Sequence, residues 1–162
     1  MRYVGLDLST KTGLVILDKS SQVVTEKEIT SNASDPLRMI EIIESLLDEI
    51  KITDLICVEG FSYGSRGRGV SFQFGLGHAL RIELYKNNFN YLIVTPSQVK
   101  KYATGKGNTS KDNMILPIFK KWGFEHDSDN VRDAFVLAKI AEGIRAGVGL
   151  TNYQKDVIKA VE

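Results

Sequence analysis

Cysteine and long apolar runs are scarce in this sequence. The 162 residues include one cysteine, Cys57, so no disulfide can form within the chain, and we expect a reducing, cytoplasmic setting. No apolar run approaches the roughly 20 residues of a membrane-spanning helix. The first residues lack a basic segment followed by an apolar stretch, so we expect no secretory signal. The sequence therefore predicts a soluble protein with no membrane partner.

The composition excludes disordered and fibrous classes of protein. Hydrophobic residues make up 43% of the chain and charged residues 25%, which are ordinary values for a globular protein. No internal repeat, low-complexity tract or linker divides the sequence. Because a length of 162 residues suits one hydrophobic core, we predict a single domain over residues 1–162.

The charges are distributed unevenly, although the net charge is only +1. Residues 1–59 contain six basic and eleven acidic side chains, whereas residues 60–111 contain eight basic and one acidic. A basic segment on a nearly neutral protein is typical of a local contact with a polyanion. A basic face exposed only to solvent would give the same composition, and the sequence leaves that alternative open.

Short β-rich segments open the chain, and helices then alternate with strands. We predict strands at residues 2–7, 13–18, 22–29, 54–59 and 91–95. A first helix is expected to start at Pro36 with Asp35 as its N-cap. Further helices are expected at residues 70–86, 96–103, 111–122, 130–146 and 153–161, with a kink or break at Pro117. The order predicts an α/β fold with a five-stranded mixed sheet, three strands antiparallel and two parallel, flanked by helices.

Carboxylates stand at the ends of two predicted strands and at the start of one helix. Asp7 ends the first strand and Glu59 the fourth, so both emerge at one edge if these strands are parallel neighbours. Asp133 follows Asp129 by four residues and Asn130 by three, which places all three on one helical face. Such oxygen-rich groups suit Mg²⁺ or Mn²⁺, and a pair of ions could activate water at a phosphodiester.

Each of these acids also has a simpler interpretation. Asp7 could cap the turn that follows it, and Glu59 could pair with a nearby lysine or arginine. Asp129 could be the N-cap of the helix that contains Asp133. These interpretations account for single residues, but they leave two strand-end acids at one edge without a joint explanation.

Four segments together resemble a known family. They are "YVGLDLSTKTG", "ICVEGF", "TPSQVKKYATGKGNTSK" and "DNVRDAFVLAKIA", in that order between Arg2 and about Ala146. The sequence is similar to the RuvC family of Holliday-junction resolvases, and most similar to its divergent, phage-encoded branch. The resemblance implies an RNase H-like nuclease domain and a homodimer in a bacterial cytoplasm. It also implies paired, Mg²⁺-dependent nicks in opposed strands of four-way or other branched DNA, with two ions per active site and Mn²⁺ as a substitute.

The resemblance assigns most of the catalytic and metal-binding positions. The family's first, second and last acids fall on Asp7, Glu59 and Asp133. The remaining family position, three residues before the last acid, is Asn130 here. Three groups could complete the metal site: the amide oxygen of Asn130, the carboxylate of Asp129, or His126, for which a structural role is the stronger expectation.

The resemblance also assigns basic residues. The family's lysines fall on Lys100 and Lys111, and Lys111 is expected near the scissile phosphate as a fourth catalytic residue beside the three acids. A solvent-exposed helix face would explain both lysines without a function. Neither "GSRGRG" nor "TGKGNTSK" has the spacing of a phosphate-binding nucleotide loop, so we expect no nucleotide cofactor.

The loop "FSYGSRGRG" follows Glu59 and combines arginines with aromatic residues. Arginine binds phosphate through its forked guanidinium, and an aromatic ring can stack on an unpaired base. Core packing is an equal expectation for Phe61, which makes Tyr63 the better stacking candidate. The predicted DNA contacts are Phe61, Tyr63, Arg66, Arg68, Lys100, Lys101, Lys106 and Lys111.

Two other functions remain open at the level of sequence. An RNase H-like nuclease that cuts RNA or an RNA–DNA hybrid would need the same acids and basic charge. A junction-binding architectural protein with weak or lost catalysis would explain the asparagine at position 130. The predicted helix 70–86 is broadly apolar, which would follow from packing in the core or from part of the helix forming the face of a homodimer.

Overall fold

The computed structural model of the chain describes residues 1–61 and 67–161, except for the side chain of Arg68. The strands are β1 (Tyr3–Asp7), β2 (Thr12–Leu17), β3 (Val23–Ile29), β4 (Leu55–Glu59) and β5 (Asn90–Val94). The helices are α1 (Leu37–Glu49), α2 (Arg68–Lys86), α3 (Pro96–Thr104), α4 (Asp112–Trp122), α5 (Asp129–Ala146) and α6 (Asn152–Val161). No helix in the described ranges is long and apolar enough to cross a bilayer.

The strands form one sheet in the order β3-β2-β1-β4-β5. Strands β1, β2 and β3 pair antiparallel, whereas β4 is parallel to β1 and β5 is parallel to β4. The predicted mixed sheet is therefore confirmed. Leu6 lies opposite Val58 in the parallel pair, so Asp7 and Glu59, which follow them directly, end their strands side by side.

A hydrophobic core lies on each face of the sheet, because successive side chains of a strand point to opposite faces. Val4, Leu6 and Ile56 belong to the core that includes residues of α1 and α2. Tyr3 and Cys57 belong to the core that is built largely from α5. The sheet edge that carries the two acids is thus fixed from both sides.

Two glycines allow the backbone of α5 to lie against the sheet. A Cβ atom at Gly5 would stand 1.9 Å from the Ala134 carbonyl oxygen, and one at Gly13 would stand 2.1 Å from the Asn130 carbonyl oxygen. Real Cβ contacts are never so short, so any side chain at these positions would push α5 outward. These two close contacts fix the distance between α5 and the sheet, and with it the position of the start of α5 relative to the ends of β1 and β4.

The predicted N-cap of α1 is wrong, and the alternative interpretation of Asp129 as an N-cap does not hold. Helix α1 begins at Leu37 after Pro36, which makes no side-chain cap, and the carboxylate of Asp35 instead accepts two hydrogen bonds of 2.8 Å from the Arg38 guanidinium. Helix α5 is capped by Ser128, whose hydroxyl accepts a hydrogen bond from the backbone N–H of Val131. Asp129 is therefore the first residue of α5 and not its cap.

The later helices are continuous and docked. Helix α4 runs through Pro117 to Trp122 as one element, so the expected break does not occur. Helix α6 packs on α3 through the buried Val157 and through a hydrogen bond from Gln154 Nε2 to the carbonyl oxygen of Tyr102. This docking settles the position of α3, which leads into the lysine-bearing loop before α4.

Candidate active site

A polar cleft opens where β1, β4 and the start of α5 meet. Its volume is about 230 Å³. Its lining residues are Asp7, Glu59, Gln73, Pro96, Val99, Lys100, Lys111, Asn130 and Asp133. The cleft thus brings together the three acids and the two lysines that the resemblance assigned, although they are spread over 127 positions of the chain.

Asp7 and Glu59 form a buried carboxyl pair. Each side chain shifts the pKa of the other, as expected for two carboxyl groups in direct proximity. Burial raises the pKa of Asp7 to about 6, against the lowering effect of the hydrogen bond from Glu59. Burial and the charge of Asp7 hold the pKa of Glu59 well above its ordinary value. The charged forms of both groups are thus disfavoured in the protein alone, and a bound cation would favour them.

The simpler interpretations of Asp7 and Glu59 do not match the contacts that these two side chains make. The turn after Asp7 is closed by Ser9 and Thr12: the hydroxyl of Thr12 donates to the Ser9 carbonyl oxygen at 2.7 Å. The group that acts most strongly on Glu59 is Asp7, another acid. Both acids line the cleft, and among the described side chains of residues 1–61 and 67–161 no lysine or arginine forms an ion pair with Glu59.

Lys111 brings positive charge to Asp133. Its Nζ atom lies 3.1 Å from a carboxylate oxygen of Asp133 and 2.8 Å from one of Asp129. Burial raises the pKa of Asp133 in spite of the lysine, whereas the hydrogen bond from Lys111 lowers the pKa of the more exposed Asp129. Burial works against the charge of Lys111, but the hydrogen bond to Asp129 and the attraction of Asp133 and Asp7 raise its pKa overall.

The groups considered for the fourth position differ in where they lie. Asn130 lines the cleft, and its Nδ2 donates a 2.8 Å hydrogen bond to the carbonyl oxygen of Lys11. His126 is not among the cleft residues, and its Nδ1 accepts a 3.0 Å hydrogen bond from the backbone N–H of Ser128. Its ring also stacks on Phe124, which agrees with a structural role at the entry to α5.

A magnesium site is compatible with the chemistry of these side chains. Within residues 1–61 and 67–161, no three or more histidine, cysteine, aspartate or glutamate side chains already form a metal-ligand cluster. The available donors are carboxylate oxygens and one amide oxygen, which are the ligands that Mg²⁺ and Mn²⁺ prefer. The raised pKa values of Asp7, Glu59 and Asp133 indicate negative charge that the protein alone does not compensate.

The predicted DNA contacts divide into three groups. Lys100 lines the cleft beside Lys111, and Lys106 is exposed on the loop between α3 and α4. Lys101 instead faces α6, where its Nζ lies 3.6 Å from Asp156. Tyr63 and Arg66 lie outside the described residues, as does the side chain of Arg68.

Phe61 packs on one face of α2. Its ring stacks on Phe74 with centroids 4.3 Å apart, and the Arg81 guanidinium lies 4.4 Å from its centroid. A Cβ atom at Gly77 would stand 2.5 Å from the Phe61 ring, so this glycine makes room for it. The packing alternative for Phe61 thus describes its contacts within the chain, while its predicted role in DNA binding stays a prediction.

Sequence reasoning missed several residues of the site. Gln73 lines the cleft and donates a 3.3 Å hydrogen bond to the carbonyl oxygen of Leu8, just beyond Asp7. Pro96 and Val99 form apolar parts of the lining. No pattern marks Gln73, because its role depends on how α2 crosses the sheet. Gly5 offered a signal, since a glycine inside a buried strand indicates the close approach of another backbone.

The fold and the cleft define an RNase H-like protein with acids at the ends of two adjacent parallel strands. Two solved structures of RuvC from Thermus thermophilus share this fold, each with a TM-score of 0.71. The first is 17% identical and covers 91% of this chain and 97% of its own. The second, described as a complex with a Holliday junction substrate, is 18% identical and covers 91% and 96%.

Sequence similarity leads to the same family. Two curated relatives from Helicobacter pylori, strains ATCC 700392 / 26695 and J99 / ATCC 700824, are named crossover junction endodeoxyribonuclease RuvC. Each is 27% identical over 126 residues, which cover 73% of this chain and 80% of the relative. No family model matches the chain. The chain is thus similar to RuvC proteins in both fold and sequence; both curated relatives are bacterial, and the phage origin stays a prediction.

Proposed function

We propose that the protein is a metal-dependent, structure-selective DNA endonuclease that resolves Holliday junctions by paired nicks in opposed strands. The observation that carries this proposal is the meeting of Asp7, Glu59, Asp133 and Lys111 in one cleft at the carboxyl edge of β1 and β4. The similarity to RuvC proteins, one of them solved with a junction, supports the choice of substrate. We further propose that residues 1–162 act as one nuclease domain in a bacterial cytoplasm, with branched DNA as its substrate.

The residues of the cleft would divide the chemistry between them. Asp7, Glu59 and Asp133 would hold two divalent ions, and the amide oxygen of Asn130 is placed to complete the set. Bound Mg²⁺ or Mn²⁺ would activate a water molecule and stabilise the leaving oxygen of the phosphodiester. Lys111 would place a positive charge beside the scissile phosphate, and Lys100, on the same cleft, would bind the neighbouring backbone.

A homodimer would present two such clefts to the two opposed strands of a junction. An apolar groove of about 400 Å³ lies between α1 and α2, lined in part by Ile40, Leu47 and Ile82. Ile82 is 56% exposed, whereas Leu80 and Leu84, two positions away on either side, are buried in the core. We expect Ile82→Glu to lower the mass measured by sedimentation equilibrium to that of a monomer. Ile115→Glu, at an exposed position on α4, is the control and should leave the mass unchanged.

The central experiment compares substrates. Purified protein is incubated in Mg²⁺ or Mn²⁺ with labelled four-way, Y-shaped, hybrid and linear substrates. We expect symmetric paired nicks in the four-way junction. Cutting of the hybrid alone would favour a different RNase H-like nuclease, and junction binding without cutting would favour the architectural function, which the asparagine at position 130 keeps open.

A single substitution tests the role of the acids. Asp7→Asn should abolish cleavage while junction binding is retained, because it removes a charged ligand without removing a basic residue. Asp48→Asn, on an exposed position of α1, makes the same chemical change away from the cleft and should cut normally. Retained cleavage by Asp7→Asn would refute the acidic site.

A further inference from the structure

Two aspartates on α5 contact the same ammonium group but have different surroundings. Asp133 is almost buried, with 8% of its side chain exposed, and it lines the cleft beside Asp7. Asp129, one helical turn earlier, is 48% exposed and is not among the residues that line the cleft. The ammonium group of Lys111 forms an ion pair with each aspartate, and its Nζ lies closer to Asp129 than to Asp133.

The carboxylate of Asp129 accepts a 2.8 Å hydrogen bond from Lys111 Nζ, and its place in the fold is well defined. It stands in the first turn of α5, where the helix dipole favours a negative charge. The preceding residue, Ser128, caps this helix and donates a hydrogen bond to Glu28 on β3, which ties the start of α5 to the sheet. The acceptor for Lys111 is therefore held by the fold.

Lys111 has little else to hold it. It is the N-cap residue of α4, makes no side-chain capping hydrogen bond there, and leaves 47% of its side chain exposed. A lysine side chain has four rotatable bonds and a large rotamer entropy, so an unpaired one would sample many positions. The contact with Asp133 alone would draw the ammonium toward the acids, whereas Asp129 keeps it at the mouth of the cleft.

We propose that Asp129 is a positioning residue that holds Lys111 at the mouth of the cleft, and that it is not a metal ligand. The inference rests on the proposed function, since Lys111 is taken to meet the scissile phosphate. It also divides the two acids of α5: Asp133 serves the cation site, and Asp129 serves the lysine.

Magnesium affinity separates the two roles without any DNA. The dissociation constant for Mg²⁺ is measured by isothermal titration calorimetry for the wild type and for Asp129→Asn, Asp133→Asn and Asp127→Asn. Asp127 is exposed and two residues from Asp129, so it controls for the loss of one nearby charge. We expect Asp129→Asn to match Asp127→Asn within about threefold, whereas Asp133→Asn weakens binding about tenfold or more. Weakening by Asp129→Asn as large as that of Asp133→Asn would overturn the proposal.

The position of Lys111 is tested by chemical labelling. Acetic anhydride is added to the metal-free protein, and the acetylation rates of Lys111 and Lys106 are compared by mass spectrometry. Lys106 is exposed on the preceding loop and serves as the internal reference. Asp129→Asn should raise the Lys111 rate several-fold relative to Lys106, and Asp127→Asn should not. An unchanged ratio would mean that Asp129 does not hold Lys111.

Cleavage then tests whether Asp129 acts through Lys111. The single-turnover rate on a four-way junction is measured for Asp129→Asn, Lys111→Met and the double variant. We expect Asp129→Asn to slow the wild type about fivefold or more but to change Lys111→Met by less than about twofold, since contacting residues couple. Equal slowing in both backgrounds would contradict a positioning role. If the wild type cuts no branched substrate, the proposed function fails, and the calorimetry and labelling still decide the role of Asp129.

Discussion

The two sides of the cleft are held in place by different forces. The acidic side consists of Asp7, Glu59 and Asp133, which project from β1, β4 and α5, three elements buried among two hydrophobic cores. The basic side consists of Lys100 and Lys111, which project from α3 and from the start of α4 near the surface. Backbone packing positions the acids, whereas the ammonium group of Lys111 is held by its ion pairs with Asp129 and Asp133.

The difference follows from the electrostatic requirements of each side. Three carboxylates close together repel one another, so only a rigid scaffold keeps them near when no cation is bound. Lysines that meet DNA must stay charged and accessible, and buried lysines are costly. We therefore expect damage to the packing that holds the acidic side to reduce the stability of the whole fold, and damage to the basic side to act locally.

The largest effect is expected where α5 meets β1. Gly5→Ala would place a Cβ atom 1.9 Å from the Ala134 carbonyl oxygen and 2.5 Å from the Ala138 backbone nitrogen. Both contacts are with backbone, which cannot rotate away, so α5 or β1 must shift. We expect a loss of about 3 kcal/mol or more in the free energy of unfolding, measured by urea denaturation.

The matched control is Gly69→Ala in the first turn of α2. A Cβ atom there would meet no atom of the described residues within 4 Å. Alanine is the better helix former, so the free energy of unfolding should stay constant or rise by up to about 1 kcal/mol. If Gly5→Ala behaved like this control, close backbone packing would not be what fixes the acidic side.

The second prediction concerns the ionisation of Asp7 on the acidic side. In metal-free buffer, the folded protein binds the Asp7 proton more tightly than the unfolded chain does, because burial raises the pKa of Asp7 from 3.8 to about 6. This contribution to stability is complete below about pH 4 and is lost as pH rises to about 6. Asp7→Asn removes the ionisation, so it should stabilise the protein by about 1–3 kcal/mol at pH 8 and flatten this pH dependence.

Urea denaturation in EDTA between pH 4 and pH 8 measures this effect. Asp48→Asn, at an exposed position of α1, is the control and should change stability by less than about 0.5 kcal/mol. A loss of stability in Asp7→Asn at pH 8 would mean that the carboxylate is already compensated by the protein, and it would weaken the case for a cation site.

The acidic side could be predicted from sequence because its information is local. The apolar patterns of two short segments predicted β1 and β4, and Asp7 and Glu59 are the last residues of those segments. The N-cap of α5 was misassigned because Ser128 and Asp129 are neighbouring residues of the same capping type. Periodicity fixes where a helix runs better than it fixes the residue at which it begins.

The basic side was less predictable because its contacts are long-range. Lys111 meets Asp129 across 18 positions, and only the family resemblance, not charge or periodicity, distinguishes it from Lys101, which turns away from the cleft toward Asp156 on α6. The segment 60–111 indicated basic charge, but only the folded chain assigns each lysine to the cleft, the loop or another helix.

The smallest effect is expected at the far end of α4, where Lys121 ties three helices together. Its Nζ donates a 2.6 Å hydrogen bond to the carbonyl oxygen of Ala103 on α3 and another to the hydroxyl of Tyr153 on α6. Lys121→Met removes both bonds but keeps an apolar stem of similar length. We expect a loss of about 1 kcal/mol in the free energy of unfolding, with faster trypsin cleavage after Lys106 in the loop between α3 and α4.

Lys120→Met controls for the loss of one lysine on the same helix, because Lys120 is exposed. It should leave both stability and the rate of cleavage after Lys106 unchanged. Faster proteolysis with little global destabilisation in Lys121→Met would show that the basic side opens locally, as a region held by polar contacts should. If proteolysis accelerated only in proportion to global unfolding, the two sides of the cleft would form one cooperative unit, and the difference between them would lie in burial alone.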